Sequence, residues 1–365
     1  MTDRSSQPLS RSLDPALERW LDAVADGLDT GAEPPASVLP ALARAGVAHL
    51  GVPRAEGGAD GDITDAVAAV AAVSERSLAA GFVLWSHRTY IEYLLQSPNA
   101  GLRNRLLPAL LSGELAGATA LSNAMKFLSG LEELQVTARS RAPGFILDGK
   151  LPWVTNLRVE GFHVAVATAR ADGSGSMIVT LSGDDEGVER SADLDLMGMR
   201  STSTAAVRIS GARIDADRVL ADDAVSWLGQ VRPAFLGLQC GMSIGLARRS
   251  LVKVAETAGA GRDVLGEPAA MLSSALDEEA RRLDRGLRDG TFRSNPAALF
   301  RIRIALAEIV GEAVSLELQA SGGRAYLTGP GRDFARRWRE AAFIPLITPS
   351  LVQLKSALLQ QRSAA

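Results

Sequence analysis

Histidine and cysteine are scarce: the 365 residues include three of the first and one of the second. The single cysteine, Cys240, excludes an intrachain disulfide, and its setting in the apolar run FLGLQCGMSIGLA reads as a small buried hydrophobe. These few residues show no metal-ligand spacing, so no metal site is expected. Long apolar runs are also lacking. None approaches the ~20 uncharged residues that a membrane span needs, and the opening MTDRSSQPLSRSLDP has no apolar core of a secretory signal. A cytoplasmic chain without a membrane span is the expectation. A strong charge of either sign is missing: the formal net charge is -3, which gives no bulk attraction to nucleic acid. Residues 1–220 carry 20 Lys and Arg against 27 Asp and Glu, whereas residues 221–365 carry 19 against 15. A mildly basic second part suits an anionic small molecule, and it equally suits ordinary solvated helix faces.

What is present is apolar residue, 47% of the chain, enough for a large core. Its period changes twice along the sequence. PALERWLDAVADGL places Leu17, Trp20, Leu21, Val24 and Leu28 on a helical stripe. DITDAVAAVAAVSERSLAAGFVLWSH begins with an N-cap candidate, Asp62 or Thr64, and reads as one alanine-rich helix. NRLLPALLSGEL reads as a short helix stopped at Gly113. Alternation then takes over, in GFHVAVATARADGSGSMIVTLSG and TAAVRISGARI, with turns expected at Asp148-Gly149 and Asp172-Gly173. From about residue 226 the helical period returns in four long segments, one carrying Leu299, Ile302, Leu306, Ile309, Val310 and Val314 on a wide face suited to a subunit interface. The expected architecture is α+β: an N-terminal helical domain (1–115), a middle antiparallel β-domain (116–224) and a C-terminal four-helix bundle (225–365).

Four stretches add chemistry to this order. GATALSNAMKFLSG offers Leu121, Ser122 and Ser129 on a loop. DGKLPWVTN sets Trp153 two residues before Thr155; a core tryptophan followed by a strand threonine would look the same. MGMRSTSTAAVRISGARIDADRVL closes the alternating region. QASGGRAYLTGPGRDFARRWREAAF joins Gln319 to the consecutive Gly322 and Gly323, which let backbone approach a pyrophosphate closely, and leads to Arg339-Glu340-Ala341. No Gly-x-Gly-x-x-Gly follows a strand, so a Rossmann site is excluded.

In these stretches, over residues about 15 to 360, the chain resembles the acyl-CoA dehydrogenase superfamily, homo-oligomeric flavoproteins that hold FAD between a β-domain and a helix bundle. The resemblance implies FAD, with FMN as the alternative if the chain is a monooxygenase. Leu121 and Ser122 would meet the flavin ring and Ser129 the pyrophosphate. Trp153 would lie against the ring, and Thr155 would donate toward the N5 edge. Arg262, in AGAGRDVLGEP, would reach with Gln319, Gly322 and Gly323 to the diphosphate of a neighbouring subunit. A homodimer or homotetramer acting on an acyl substrate such as an acyl-CoA follows. The sequence departs from the family at Asn123-Ala124, where Glu-Pro is usual, and at Ala325 and Leu265.

The largest departure is the base. Dehydrogenases of this family remove an α-proton with a glutamate, since a desolvated carboxylate is a competent base near neutral pH. The two positions it occupies in the family correspond here to Thr348, in ITPS, and Val231, in GQVRPAFLGLQ. Neither side chain can take a proton. Thr348 and Arg232 then fall to the substrate side. Family members without the glutamate include flavin monooxygenases, and the resemblance would turn His87, in FVLWSHRTYIEYL, toward the flavin cavity as a proton acceptor or hydrogen-bond partner. Three readings stay open: a dehydrogenase-type oxidoreductase with its base elsewhere, a monooxygenase or oxidase, and a flavin-binding protein without dehydrogenase activity.

Overall fold

The computed structural model describes residues 7–128, 130, 132–257 and 263–364. Helix α1 (Pro15–Thr30) starts where the Asp14 carboxylate accepts the amides of Ala16 and Leu17 at 2.8 and 3.2 Å, and it stops at Gly31 in the left-handed region. Its stripe, Leu17, Leu21 and Leu28, is buried. Helix α2 (Val38–Arg44) follows. Where one alanine-rich helix was expected there are two, α3 (Ile63–Arg76) and α4 (Leu78–Leu95). The break at Ser77 has a physical cause: its backbone is extended, its Oγ accepts the Ala80 amide at 3.3 Å, and the distant Glu340 carboxylate accepts the Leu78 amide at 3.0 Å. The amides left free by a new helix start are thus satisfied, one of them by a group 262 positions away. Asp62 caps α3 in a reciprocal box with Asp65. Helix α5 (Ala100–Leu111) is capped by Asn99 and ends before Gly113, whose φ is 73°.

The middle region holds β1 (Ala116–Thr119), a short helix α6 (Ser122–Phe127), β2 (Val136–Arg141), β3 (Gly144–Val154), β4 (Phe162–Arg170), β5 (Ser176–Ser182), β6 (Val188–Asp193), β7 (Ala205–Asp215) and β8 (Val219–Ala221). The sheet runs β6-β7-β3-β2-β4-β5-β8, with β1 added beside β4. It is mixed, not wholly antiparallel: β4 is laid on the far side of β2 from β3 and so runs parallel to it, and β1 is also parallel to β4. The turn expected at Asp148-Gly149 is elsewhere. That pair lies inside β3, opposite Thr137 and Val136, at a register slip against β7, and the chain reverses at Ala142-Pro143, where proline has no amide to give to a ladder. The Asp148 carboxylate accepts the Gly211 amide at 2.8 Å across the slip.

The last region consists of α7 (Ala224–Glu256), α8 (Gly266–Arg288), a single turn α9 (Thr291–Ser294), α10 (Pro296–Ser321), α11 (Arg332–Phe343) and α12 (Leu351–Ala364). Helix α12 lies beyond the four segments read from the period. Helix α7 seats directly on α3, because a Cβ at Gly241 or Gly245 would lie 2.8 Å from the Val67 carbonyl or 2.2 Å from that of Ala71. The wide face of α10 is buried within this one chain, against α7 and α8, so it offers no subunit interface. By length and composition Arg332–Gln361 would suit a membrane span. It is two helices parted at residues 344–350, and α11 buries Arg336, Arg337 and Glu340. Arg336 bonds Glu340 at 2.9 Å, Arg337 bonds Glu317 of α10 at 2.9 Å, and Arg339 bonds Asp29 of α1 at 2.8 Å. The first pair lies within α11, and the other two hold it against α10 and α1.

Candidate cofactor and active site

A cavity of about 370 Å³ opens where α4, α6, β3 and the segment after α11 meet. It is of the size of a small-molecule site. Four residues singled out by the sequence lie on its wall although they are far apart in the chain: Ser122, Trp153, Thr155 and Thr348. Trp153 is 46% exposed, a large flat apolar face left open at the end of a strand. Thr155 is buried, its carbonyl accepting from Ser86 of α4 at 3.1 Å. Leu121 is fully buried beneath the wall and does not line it.

The polar side of the wall carries Asn123, Lys126, Glu132, Gln135 and Lys150, which the sequence motifs did not single out for chemistry. Asn123, standing where the family has glutamate, braces the loop. Its amide nitrogen donates to the Glu133 carbonyl and its oxygen accepts the Gln135 amide, both at 2.9 Å. Lys126 pairs with Glu132 at 2.6 Å. That contact, with a further one from Asn123, holds the Glu132 carboxyl below its ordinary range. Glu132 is the sole carboxylate on this wall among the described residues, and it is kept ionised and weakly basic. Two lysines against one glutamate leave the mouth positive. The apolar end is formed by Phe82, Trp85 and Phe343. Phe82 and Trp85 stack at 5.3 Å between centroids, and Phe343 meets Phe82 edge-on at 5.0 Å. The spacing of Phe82 and Trp85, one helical turn apart, is the signal in the sequence that marks them.

The segment carrying Thr348 is held from behind. Gln239 of α7 donates to the Thr348 carbonyl at 2.7 Å, and Arg303 of α10 donates to the Ile344 carbonyl at 2.7 Å and to Gln239 at 3.3 Å. Arg303 is fully buried, and burial lowers its pKa. Both positions at which a base was sought are accounted for: Thr348 lies on the wall, and Val231 is buried in the core.

Other expected residues are placed elsewhere. His87 does not face the cavity. It is fully buried, with Nε2 2.9 Å from the Leu110 carbonyl and Nδ1 accepting the Gly117 amide at 3.0 Å. Both ring nitrogens are used by backbone, so the ring is a neutral brace between α5 and β1, and no site remains for a substrate proton or an oxygenated flavin. Burial pushes its pKa down to about 4. Arg232 lines a separate cavity of about 20 Å³ under α12, with its guanidinium 5.7 Å from the Phe300 ring centroid, so it is not a substrate residue of the main cavity. Gln319, Gly322 and Gly323 are also away from the cavity wall. Gln319 is exposed, Gly322 has φ 58° and ψ -151°, a conformation glycine alone adopts readily, and a side chain at Gly323 would meet open space. Ser129 and Arg262 lie outside the described residues.

Residues 9–114 match the model of the acyl-CoA dehydrogenase N-terminal domain. The whole chain superposes on a glutaryl-coenzyme A dehydrogenase–glutaryl-CoA complex with a TM-score of 0.81 at 16% identity, covering 98% of this chain and 97% of the other. Residues 9–114 are thus similar to the acyl-CoA dehydrogenase N-terminal domain, and the whole chain has the acyl-CoA dehydrogenase fold. It is 24% identical over 248 residues to benzylmalonyl-CoA dehydrogenase of Aromatoleum aromaticum, covering 67% of this chain and 65% of the relative. With the mitochondrial isovaleryl-CoA dehydrogenase of Pongo abelii it shares 25% over 186 residues, 49% of this chain and 43% of that one. The matches thus span less than two thirds of either relative. The same superfamily fold occurs in KijD3 in complex with FMN and a dTDP-linked amino keto sugar (TM-score 0.81, 18% identity, 98% and 96% covered). It occurs again in dibenzothiophene monooxygenase from Paenibacillus sp. A11-2 (TM-score 0.74, 18% identity, 93% of each chain covered).

The residues on the wall suit a flavin. An open tryptophan face meets a planar ring, hydroxyls and carboxamides meet ring heteroatoms, and the lysines at the mouth favour an anion.

Proposed function

We propose that this chain of acyl-CoA dehydrogenase fold is a flavin-dependent oxidoreductase, with FAD as cofactor, that acts on an acyl substrate, acyl-CoA or similar, without a positioned carboxylate base. The observation that carries the reading is the convergence of Ser122, Trp153, Thr155 and Thr348, from separate segments, on one cavity of about 370 Å³. A bound flavin supplies a two-electron acceptor or donor that no side chain offers. The chain supplies the rest. Trp153 covers the ring and excludes water, Lys126 and Lys150 draw an anionic group to the mouth, and Phe82, Trp85 and Phe343 give an apolar surface for the substrate.

The missing base favours a second reading for the reaction itself. Thr348 cannot accept a proton, and Glu132 is tied to Lys126. Removal of an α-proton is therefore unassisted, whereas oxygen-dependent chemistry with FAD or FMN needs no such group. A homo-oligomer belongs to the same proposal, since Gln319, Gly322 and Gly323 lie on a surface apart from the cavity and would serve a neighbouring subunit's cofactor.

Titration of the purified protein with FAD and with FMN tests the reading. One flavin should bind per chain, and Trp153→Ala should weaken it about 3–10-fold, the worth of an aromatic stack of about 0.5–1.5 kcal/mol. Anaerobic mixing of the flavin-bound protein with acyl-CoAs should bleach the flavin about 10²–10⁴ times more slowly than a base-assisted reaction. Failure to bind either flavin overturns the proposal. Rapid bleaching overturns the absence of a base.

A further inference from the structure

Three threonine hydroxyls lead away from the cavity in a chain. Thr155 Oγ1 lies 2.9 Å from Thr204 Oγ1, Thr204 Oγ1 lies 2.7 Å from Thr202 Oγ1, and Thr202 donates to the Met199 carbonyl at 2.9 Å. All three threonines are buried. A carbonyl oxygen only accepts, and each hydroxyl has one proton. The Thr202 proton is therefore committed to Met199. Thr204 must supply the proton in its contact with Thr202, and Thr155 must supply the proton in its contact with Thr204. The direction of the whole chain is set at its carbonyl end, and a lone pair is what Thr155 has left to show the cavity.

The carbonyl end is itself held in place. Met199 has φ 56°, and its amide donates to the Asp29 carboxylate at 2.8 Å. The Thr202 and Ser203 carbonyls accept the amides of Asn156 and Leu157, both at 3.0 Å, which fastens the loop to the end of β3 beside Thr155.

We propose that Thr155 is a fixed hydrogen-bond acceptor in the cavity, oriented by Thr204 and Thr202 as positioning residues, and that it selects a ligand atom carrying a hydrogen. This reverses the donor role expected from the sequence. It rests on the flavin reading in one respect: flavin N5 carries a hydrogen in the reduced ring and only a lone pair in the oxidised ring. A fixed acceptor beside that edge favours the reduced cofactor, a bias suited to chemistry that starts from reduced flavin.

The test is the midpoint potential of the flavin-bound protein, read by anaerobic spectroelectrochemical titration. Thr204→Val frees the Thr155 proton to turn to the cavity and meet the oxidised ring. The reduced-to-oxidised ratio at a given potential should fall about tenfold, which lowers the midpoint by about 30 mV for a two-electron couple. Thr204→Ser keeps the hydroxyl and should keep the wild-type potential. Thr202→Val, one step farther from the cavity, should shift it in the same direction as Thr204→Val and decides the matter if that variant does not hold flavin. An unchanged or raised potential in the valine variants, or an equal shift in the serine variant, overturns the fixed polarity while leaving the flavin reading intact. A wild-type protein that takes up no flavin overturns both.

Discussion

His87 shows how a single residue's surroundings decide its chemistry. An imidazole in a helix near a cavity invites a role in proton transfer, yet its two nitrogens are occupied by the Leu110 carbonyl and the Gly117 amide. Its pKa is pushed down to about 4, first by burial and further by the nearby Arg88 and Arg158. His163 is likewise brought down to about 4 by burial and by Arg218. A folded-state value below the ordinary 6.5 means that the unfolded chain binds more protons. The contribution of each ring to stability is thus complete above about pH 6.5 and is lost as the pH falls through about 4. Between pH 7 and pH 5 the free energy of unfolding should drop by on the order of 2 kcal/mol for His87 alone. Denaturant titrations at the two pH values measure the drop. Ring NMR resonances of His87 that titrate between pH 8 and pH 6 would contradict the buried neutral ring.

Among the elements, the segment between α11 and α12 matters most to the cavity, because Phe343, Leu346, Ile347 and Thr348 all lie on its wall. A 3-10 turn at Ile344–Leu346 shapes this short stretch locally. Gln239 and Arg303 anchor it from two other helices, through the Thr348 and Ile344 carbonyls. Gln239→Leu would leave the Thr348 carbonyl and one side of Arg303 without a partner inside the core. A stability loss of about 1–3 kcal/mol should result, the cost of leaving a buried polar group unpaired, together with weaker flavin binding. Denaturant midpoints and flavin titrations on the same variant check both effects. A variant with wild-type stability would show that this segment is held some other way. The division of α3 from α4 has the same character: Ser77 caps the new helix, but the Leu78 amide depends on Glu340 of α11.

At the scale of the whole molecule, the candidate subunit surface moves. The wide face of α10 is buried within the chain, whereas Tyr326, Leu327 and Trp338, around the Gly322–Gly323 turn and α11, are 92%, 57% and 49% exposed. In the proposed homo-oligomer these residues are the candidate contact region. Sedimentation equilibrium at micromolar concentration should give a dimer or tetramer, with Trp338→Glu shifting it toward monomer and lowering flavin occupancy. A monomer carrying a full complement of flavin would defeat the proposal.

Local chemistry was legible in the sequence alone. The stripes of α1 and α10, the Asp62 cap, the Gly113 stop and the succession of helices, strands and helices follow from period and turn residues, because those depend on neighbours a few positions away. Trp153, Thr155, Ser122 and Thr348 were named through the resemblance to the family, and the structure brings all four to one cavity wall. Tertiary structure decided what depends on groups distant in sequence. It placed Asp148-Gly149 inside β3, since the partner strands β2 and β7 set its register. It turned His87 into a brace and set Glu132 beside Lys126. It also fixed the direction of the Thr155 hydroxyl, because a proton's direction along a chain of hydroxyls is set by the carbonyl at its far end, here Met199, 44 positions away in sequence and three hydrogen bonds away in space.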